Sequence, residues 1–93
     1  MPRPSTRQVL RFIAANVRRL RVRAELTQEE LAEDADLATR FLQEIEAGSV
    51  NLSVDALVKL SGALKVAPTV LFKKAALAPV VPGRPRKRAV RRA

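Results

Sequence analysis

Apolar residues recur every three or four positions along most of this chain, and the polar residues between them mark where each run starts and stops. From Ser5, a residue suited to capping, Leu10, Ile13, Val17, Leu20 and Ala24 share one face, which Val9 and Phe12 widen. That period predicts an amphipathic first helix. Its opposite face is arginine. Thr27-Gln28-Glu29-Glu30 has the pattern of a capping box, in which the threonine hydroxyl accepts from the fourth residue's N–H and the glutamate reaches back. A second helix of about eight residues is expected there, with Leu31, Ala32 and Ala35 inward and Asp36 interrupting it. Leu37, Phe41, Leu42 and Ile45 form a third series that ends at Gly48, a residue suited to a left-handed C′ position. Two short helices joined by a tight turn result.

Ser53 caps a fourth predicted helix with Leu57, Leu60 and Leu64 inside, and Pro68 suits the first turn of a short fifth helix carrying Leu71 and Phe72. No stretch alternates with a strand's period for more than a few residues, so the expected class is all-α, a compact five-helix bundle. Ala78-Pro79-Val80-Val81-Pro82-Gly83-Arg84-Pro85-Arg86-Lys87-Arg88 has too little apolar surface to fold alone and reads as a disordered basic tail. The division is a domain over residues 1–77 and a tail over 78–93. There are no internal repeats.

Composition narrows the chemistry. The chain has 93 residues, enough for one core, and its only aromatics are three phenylalanines, so that core must be aliphatic. With no Cys and no His, disulfides, thiol nucleophiles, imidazole bases and the common zinc sites are excluded. No window carries the long uncharged run of a signal peptide or membrane span, so a cytoplasmic location is expected, which in a bacterium includes the nucleoid. Glu29 and Glu33 lie one helical turn apart, but nothing else forms a convergent acid/base or metal site. No catalytic residue, cofactor or metal is expected, and the pair reads as a solvated face.

Charge is distributed unevenly. Seven arginines and no acid lie before Glu25, nine acids face three basic residues between Glu25 and Phe72, and eight basic residues follow with no acid, for a net charge of +9. Two basic arms around an acidic middle point to a polyanionic partner, with anionic lipid and a merely solvated basic tail as the alternatives.

Val17-Arg18-Arg19-Leu20-Arg21, Leu26-Thr27-Gln28-Glu29-Glu30-Leu31-Ala32, Ile45-Glu46-Ala47-Gly48, Leu57, Leu60, Ala63-Leu64-Lys65-Val66 and Leu71-Phe72 together resemble the Cro/repressor-type (Xre) helix-turn-helix family. The likeness runs from residue 13 to 74. It implies a lambda-repressor-like bundle that binds double-stranded DNA, with the helix after the turn, Thr39 to Ala47, in the major groove. Thr39, Arg40, Gln43 and Glu44 stand away from the apolar face and become the candidate readers. Arg40 suits guanine, Gln43 adenine, and Glu44 can accept from cytosine N4. The resemblance places a phosphate contact on Gln28 at the start of the second helix. It also pairs Arg21 with Glu46 as a structural tie between the first helix and the recognition helix. Because a single such unit reads few base pairs, a homodimer matching two half-sites is expected.

Departures from the family pattern carry their own expectations. Glu25 and Asp36 stand where glycines are usual. Aspartate tolerates left-handed geometry but glutamate does so poorly, so a different turn is expected after the first helix. Ala38 replaces the usual Ser or Thr cap of the recognition helix, which leaves that start weaker or capped from Asp36. The loop Ser49-Val50-Asn51 lacks the basic residues that many relatives place against phosphate.

Gly83-Arg84-Pro85 followed by Arg86-Lys87-Arg88 is similar to an AT-hook, whose extended core lies in the narrow minor groove of A·T tracts. Pro82 stands where such a hook usually has arginine, and a non-specific phosphate-binding tail is the alternative. Two functional classes follow. One is a DNA-binding transcriptional regulator or nucleoid-associated protein; the other is an antitoxin-like or anti-repressor protein-interaction module using Glu29, Glu33, Asp34, Glu44 and Asp55.

Overall fold

The computed structural model describes residues 3–75. Four α-helices are followed by a 3-10 turn: α1 (Thr6–Arg23), α2 (Gln28–Asp34), α3 (Thr39–Glu46), α4 (Val54–Leu64) and the turn Pro68–Phe72, which stands where a fifth helix was expected. There are no strands among the described residues.

Three of the four helices start on a side-chain cap. The Gln8 N–H donates to Ser5 Oγ at 3.1 Å while the Ser5 N–H donates to Gln8 Oε1 at 2.8 Å, and Thr27 and Glu30 exchange the same two bonds at 3.0 and 2.9 Å. Ser53 accepts from the Ala56 N–H at 3.0 Å. α3 alone starts without one: Ala38 occupies its N-cap, no side chain, Asp36 included, bonds there, and the helix relies on tertiary packing.

All four α-helices end alike. Glu25, Asp36, Gly48 and Lys65 each have a positive φ, of 62°, 57°, 71° and 61°. In each case the next residue's N–H reaches back across the last turn, Leu26 to Arg21, Leu37 to Ala32, Ser49 to Glu44 and Val66 to Ser61, at 2.8–3.1 Å. This is the Schellman arrangement, which satisfies carbonyls the helix cannot. The expectation of a different turn at Glu25 is therefore corrected. At three of these ends the residue after the left-handed one is Leu26, Leu37 or Val66, each packed on the core. That hydrophobic closure outweighs roughly 1–2 kcal/mol of left-handed strain at a non-glycine residue.

The core is aliphatic. Val17, Leu31, Leu42, Ile45, Leu60 and Leu71 are fully buried at its centre. Leu10 and Leu20 are only half-buried and Ala24 is exposed, so the inward face of α1 is narrower than its apolar pattern. It includes Asn16, which is 1% exposed. The Asn16 carboxamide nitrogen donates to the carbonyls of Leu71 and Lys73 at 3.0 and 2.8 Å, and its oxygen accepts from Arg19 at 3.1 Å. Asn16 thus fastens the end of the 3-10 turn to α1. Leu71 covers the core, while Phe72 stays 45% exposed.

Candidate DNA-binding surface

The sharp turn between α2 and α3 sets the site. Asp36 in left-handed geometry redirects the chain, Leu37 closes over the core, and Leu42 and Ile45 seat α3 against α1 and α2. With its inner face committed, α3 directs Arg40 and Gln43 to solvent and leaves Thr39 and Glu44 partly covered. These four are the candidate readers, and they form one continuous outer face.

The C-terminal end of α3 is tied down by charge. Arg21 Nε donates to Glu46 Oε2 at 2.7 Å and Nη2 to Oε1 at 3.0 Å, a two-point pair, while Nη1 donates to the Leu26 carbonyl at 2.9 Å. The side chains are 14% and 5% exposed, so each charge depends on the other. Gln28 Nε2 adds a third donor to Glu46 Oε1 at 3.1 Å. One buried carboxylate therefore joins α1, the start of α2 and the end of α3. The Gln28 side chain, placed against phosphate by family likeness, is held by Glu46 in this structure.

On the outer face Arg40 and Glu44 lie one turn apart with Nε and Oε2 at 3.6 Å, and Arg40 is 84% exposed. An exposed pair of this kind contributes at most about 1 kcal/mol, so either partner is free to exchange it for a base edge. Lys59 lies between Asp55 and Asp36, at 3.4 and 3.8 Å. The acidic middle of the chain is thus partly neutralised from within. No group of three or more acidic side chains that could hold a metal ion exists among the described residues, and no helix there is long and apolar enough to cross a membrane. Gly83, Arg84, Pro85, Arg86, Lys87 and Arg88 lie outside the described residues.

Sequence reasoning missed Asn16, whose position on the inner face of α1 is detectable only by the helical period, and the Gln28–Glu46 bond, which joins residues distant in the chain.

Comparison with known proteins places the chain in a family. The helix-turn-helix model HTH_3 matches residues 17–71. The control protein C.BamHI of Bacillus amyloliquefaciens is 34% identical over 64 residues, 68% of this chain and 79% of that protein. The crystal structure of the restriction-modification controller protein C.AhdI from Aeromonas hydrophila superposes with a TM-score of 0.66 at 33% identity, covering 68% of this chain and 96% of that one. The hypothetical transcription factor NHTF from Neisseria superposes with a TM-score of 0.71 at 27% identity over 80% of this chain and 85% of that one. With its capped α2, its left-handed turn at Asp36 and its α3 pinned through Glu46, this chain belongs to the helix-turn-helix family HTH_3, a family of DNA-binding regulators.

Proposed function

We propose that this protein is a DNA-binding transcriptional regulator, without enzymatic activity, that lays α3 in the major groove and acts as a homodimer on two half-sites. The observation that carries the reading is the pinned recognition helix: a buried carboxylate fixes its end while Thr39, Arg40, Gln43 and Glu44 share its outer face. A helix held at its end with a solvent-facing polar side is what major-groove readout requires, since base-edge hydrogen bonds tolerate little misplacement. Arg40 addresses guanine, Gln43 adenine and Glu44 the cytosine amino group. The Gln28 backbone N–H at the start of α2 and its carboxamide, oriented by Glu46, meet phosphate. The basic segment from Gly83 to Arg88 adds affinity, either as an AT-hook or by phosphate contact alone. Solved structures named as restriction–modification controllers make control of such genes the first regulatory setting to examine.

Docking of a basic protein on the acidic residues is the less favoured reading, because the helix-turn-helix family the chain belongs to is one of DNA-binding regulators. Selection of bound sequences from random duplex DNA, with the full chain and with a version ending at Lys74, tests the proposal. A motif shared by both assigns reading to the helical domain. Loss of all enrichment in the shorter version assigns it to the tail, and no enrichment in either rejects the proposal.

A further inference from the structure

α1 bears no acid and carries Arg7, Arg11, Arg18 and Arg21 at intervals that, with Ala14, alternate four and three residues. Positions so spaced lie along one side of a helix. The direction of that side is fixed at two points. Arg21, its last member, grips Glu46 at the end of α3. Further along, a Cβ on Gly48 would lie 3.6 Å from Arg11 Cγ and 3.8 Å from Ala14 Cβ. The arginine side of α1 therefore runs beside the loop that leaves α3. That loop, Gly48-Ser49-Val50-Asn51, carries no charge of its own.

None of Arg7, Arg11 and Arg18 is in an ion pair or a side-chain hydrogen bond among the described residues; Arg7 and Arg11 are exposed and Arg18 is half-buried. Glu46, the acid at this edge, is neutralised by Arg21. Glu44, two residues earlier and so on the opposite side of α3 by helical period, is paired with Arg40. Three uncompensated guanidiniums thus sit in a row next to the exit of the recognition helix.

We infer that Arg7, Arg11 and Arg18 form a phosphate-binding ridge that meets the DNA strand bordering the groove and replaces the charge that the loop after α3 lacks. The inference rests on the proposed DNA-binding function and adds to it a contact surface outside the helix-turn-helix itself. An eight-residue helix is about 12 Å long, close to the roughly 12 Å width of the major groove, so what flanks its ends lies beside the phosphate rows. The ridge from Arg7 to Arg18 extends about 16 Å at roughly 1.5 Å per residue, long enough to follow one strand past several phosphates. Guanidinium groups suit phosphate oxygens through paired N–H donors, and such contacts carry no base preference.

The test compares the full chain with R7Q, the triple variant R7Q/R11Q/R18Q, and R23Q, which removes an exposed arginine from a different side of α1. Affinity for a fixed duplex is measured across a salt series. The triple variant is expected to flatten the slope of log affinity against log salt by about 2–3 units, at roughly 0.9 per contact, and R7Q by about one unit. R23Q is expected to leave the slope as it is, and the order of preference among duplexes is expected to stay the same. Because Arg11 packs against Gly48, R7Q serves as the variant with no packing role. If the unaltered chain binds no duplex, the function falls and the ridge with it. If it binds and the triple variant keeps its slope, or R23Q flattens the slope as much as R7Q does, the ridge alone is overturned.

Discussion

Arg21 and Glu46, 25 residues apart in the chain, meet in a two-point ion pair that is shielded from solvent on both sides. Two packed charges of this kind stabilise little relative to an apolar pair, yet removing one strands the other. Glu46→Ala is therefore expected to cost roughly 3–5 kcal/mol, because Arg21 keeps only the Leu26 carbonyl and Gln28 loses its acceptor. Thermal unfolding measures this. An unchanged melting temperature would mean that the pair does not hold α3.

Glu25 raises the opposite expectation. It is exposed and held at φ 62°, where its Cβ is strained and a glycine's absent one is not. Glu25→Gly relieves about 1–2 kcal/mol of strain and loses about 0.5–1 kcal/mol to the greater freedom of the unfolded chain. A net gain of up to about 1.5 kcal/mol raises the melting temperature by several degrees in a domain of this size. A lower melting temperature would show that the Glu25 side chain contributes something the backbone geometry does not contain.

The helices and their order were readable from apolar periodicity and caps because both are local. Ser5, Thr27 and Ser53 bond within their own first turns, and so those three helix starts could be read directly. The ends were harder. Gly48 announces a left-handed residue and Asp36 tolerates one, but Glu25 and Lys65 adopt the same geometry because a neighbouring apolar residue must turn inward, a tertiary demand invisible in residue type. Asn16 escaped for the same reason: a polar residue on an apolar face has meaning only once the Leu71 and Lys73 carbonyls are in place. The outward side of α3 followed from periodicity, while the bond from Gln28 to Glu46 required the fold.

Arg40 and Glu44 test readout. Arg40→Ala is expected to cost roughly 1–3 kcal/mol on the preferred site and to relax its base preference. Gln28→Ala should weaken every duplex alike and also lower the melting temperature, since its carboxamide bonds to Glu46. Glu44→Gln removes a negative charge from the groove face and frees Arg40 from its intramolecular partner, so affinity for all duplexes should rise. Titrations on preferred and random duplexes separate these outcomes. Equal losses on both for Arg40→Ala would remove Arg40 from the readers.

The tail brings six basic residues after Pro82: Arg84, Arg86, Lys87, Arg88, Arg91 and Arg92. If all six neutralise phosphates, a chain ending at Pro82 flattens the dependence of log affinity on log salt by up to about 5 units, at roughly 0.9 per contact. Clustered side chains on one short segment compete for the same phosphates, so about half that loss is the expected value. Phosphate contact alone predicts the same loss on A·T-rich and G·C-rich duplexes, because phosphates carry no base information. A minor-groove hook predicts a larger loss on A·T tracts, where the groove is narrow and its potential most negative, and Arg84→Ala alone should then reproduce most of the difference. Truncation that alters neither slope nor affinity would assign the tail to another partner and leave DNA binding to α3 and the arginines of α1.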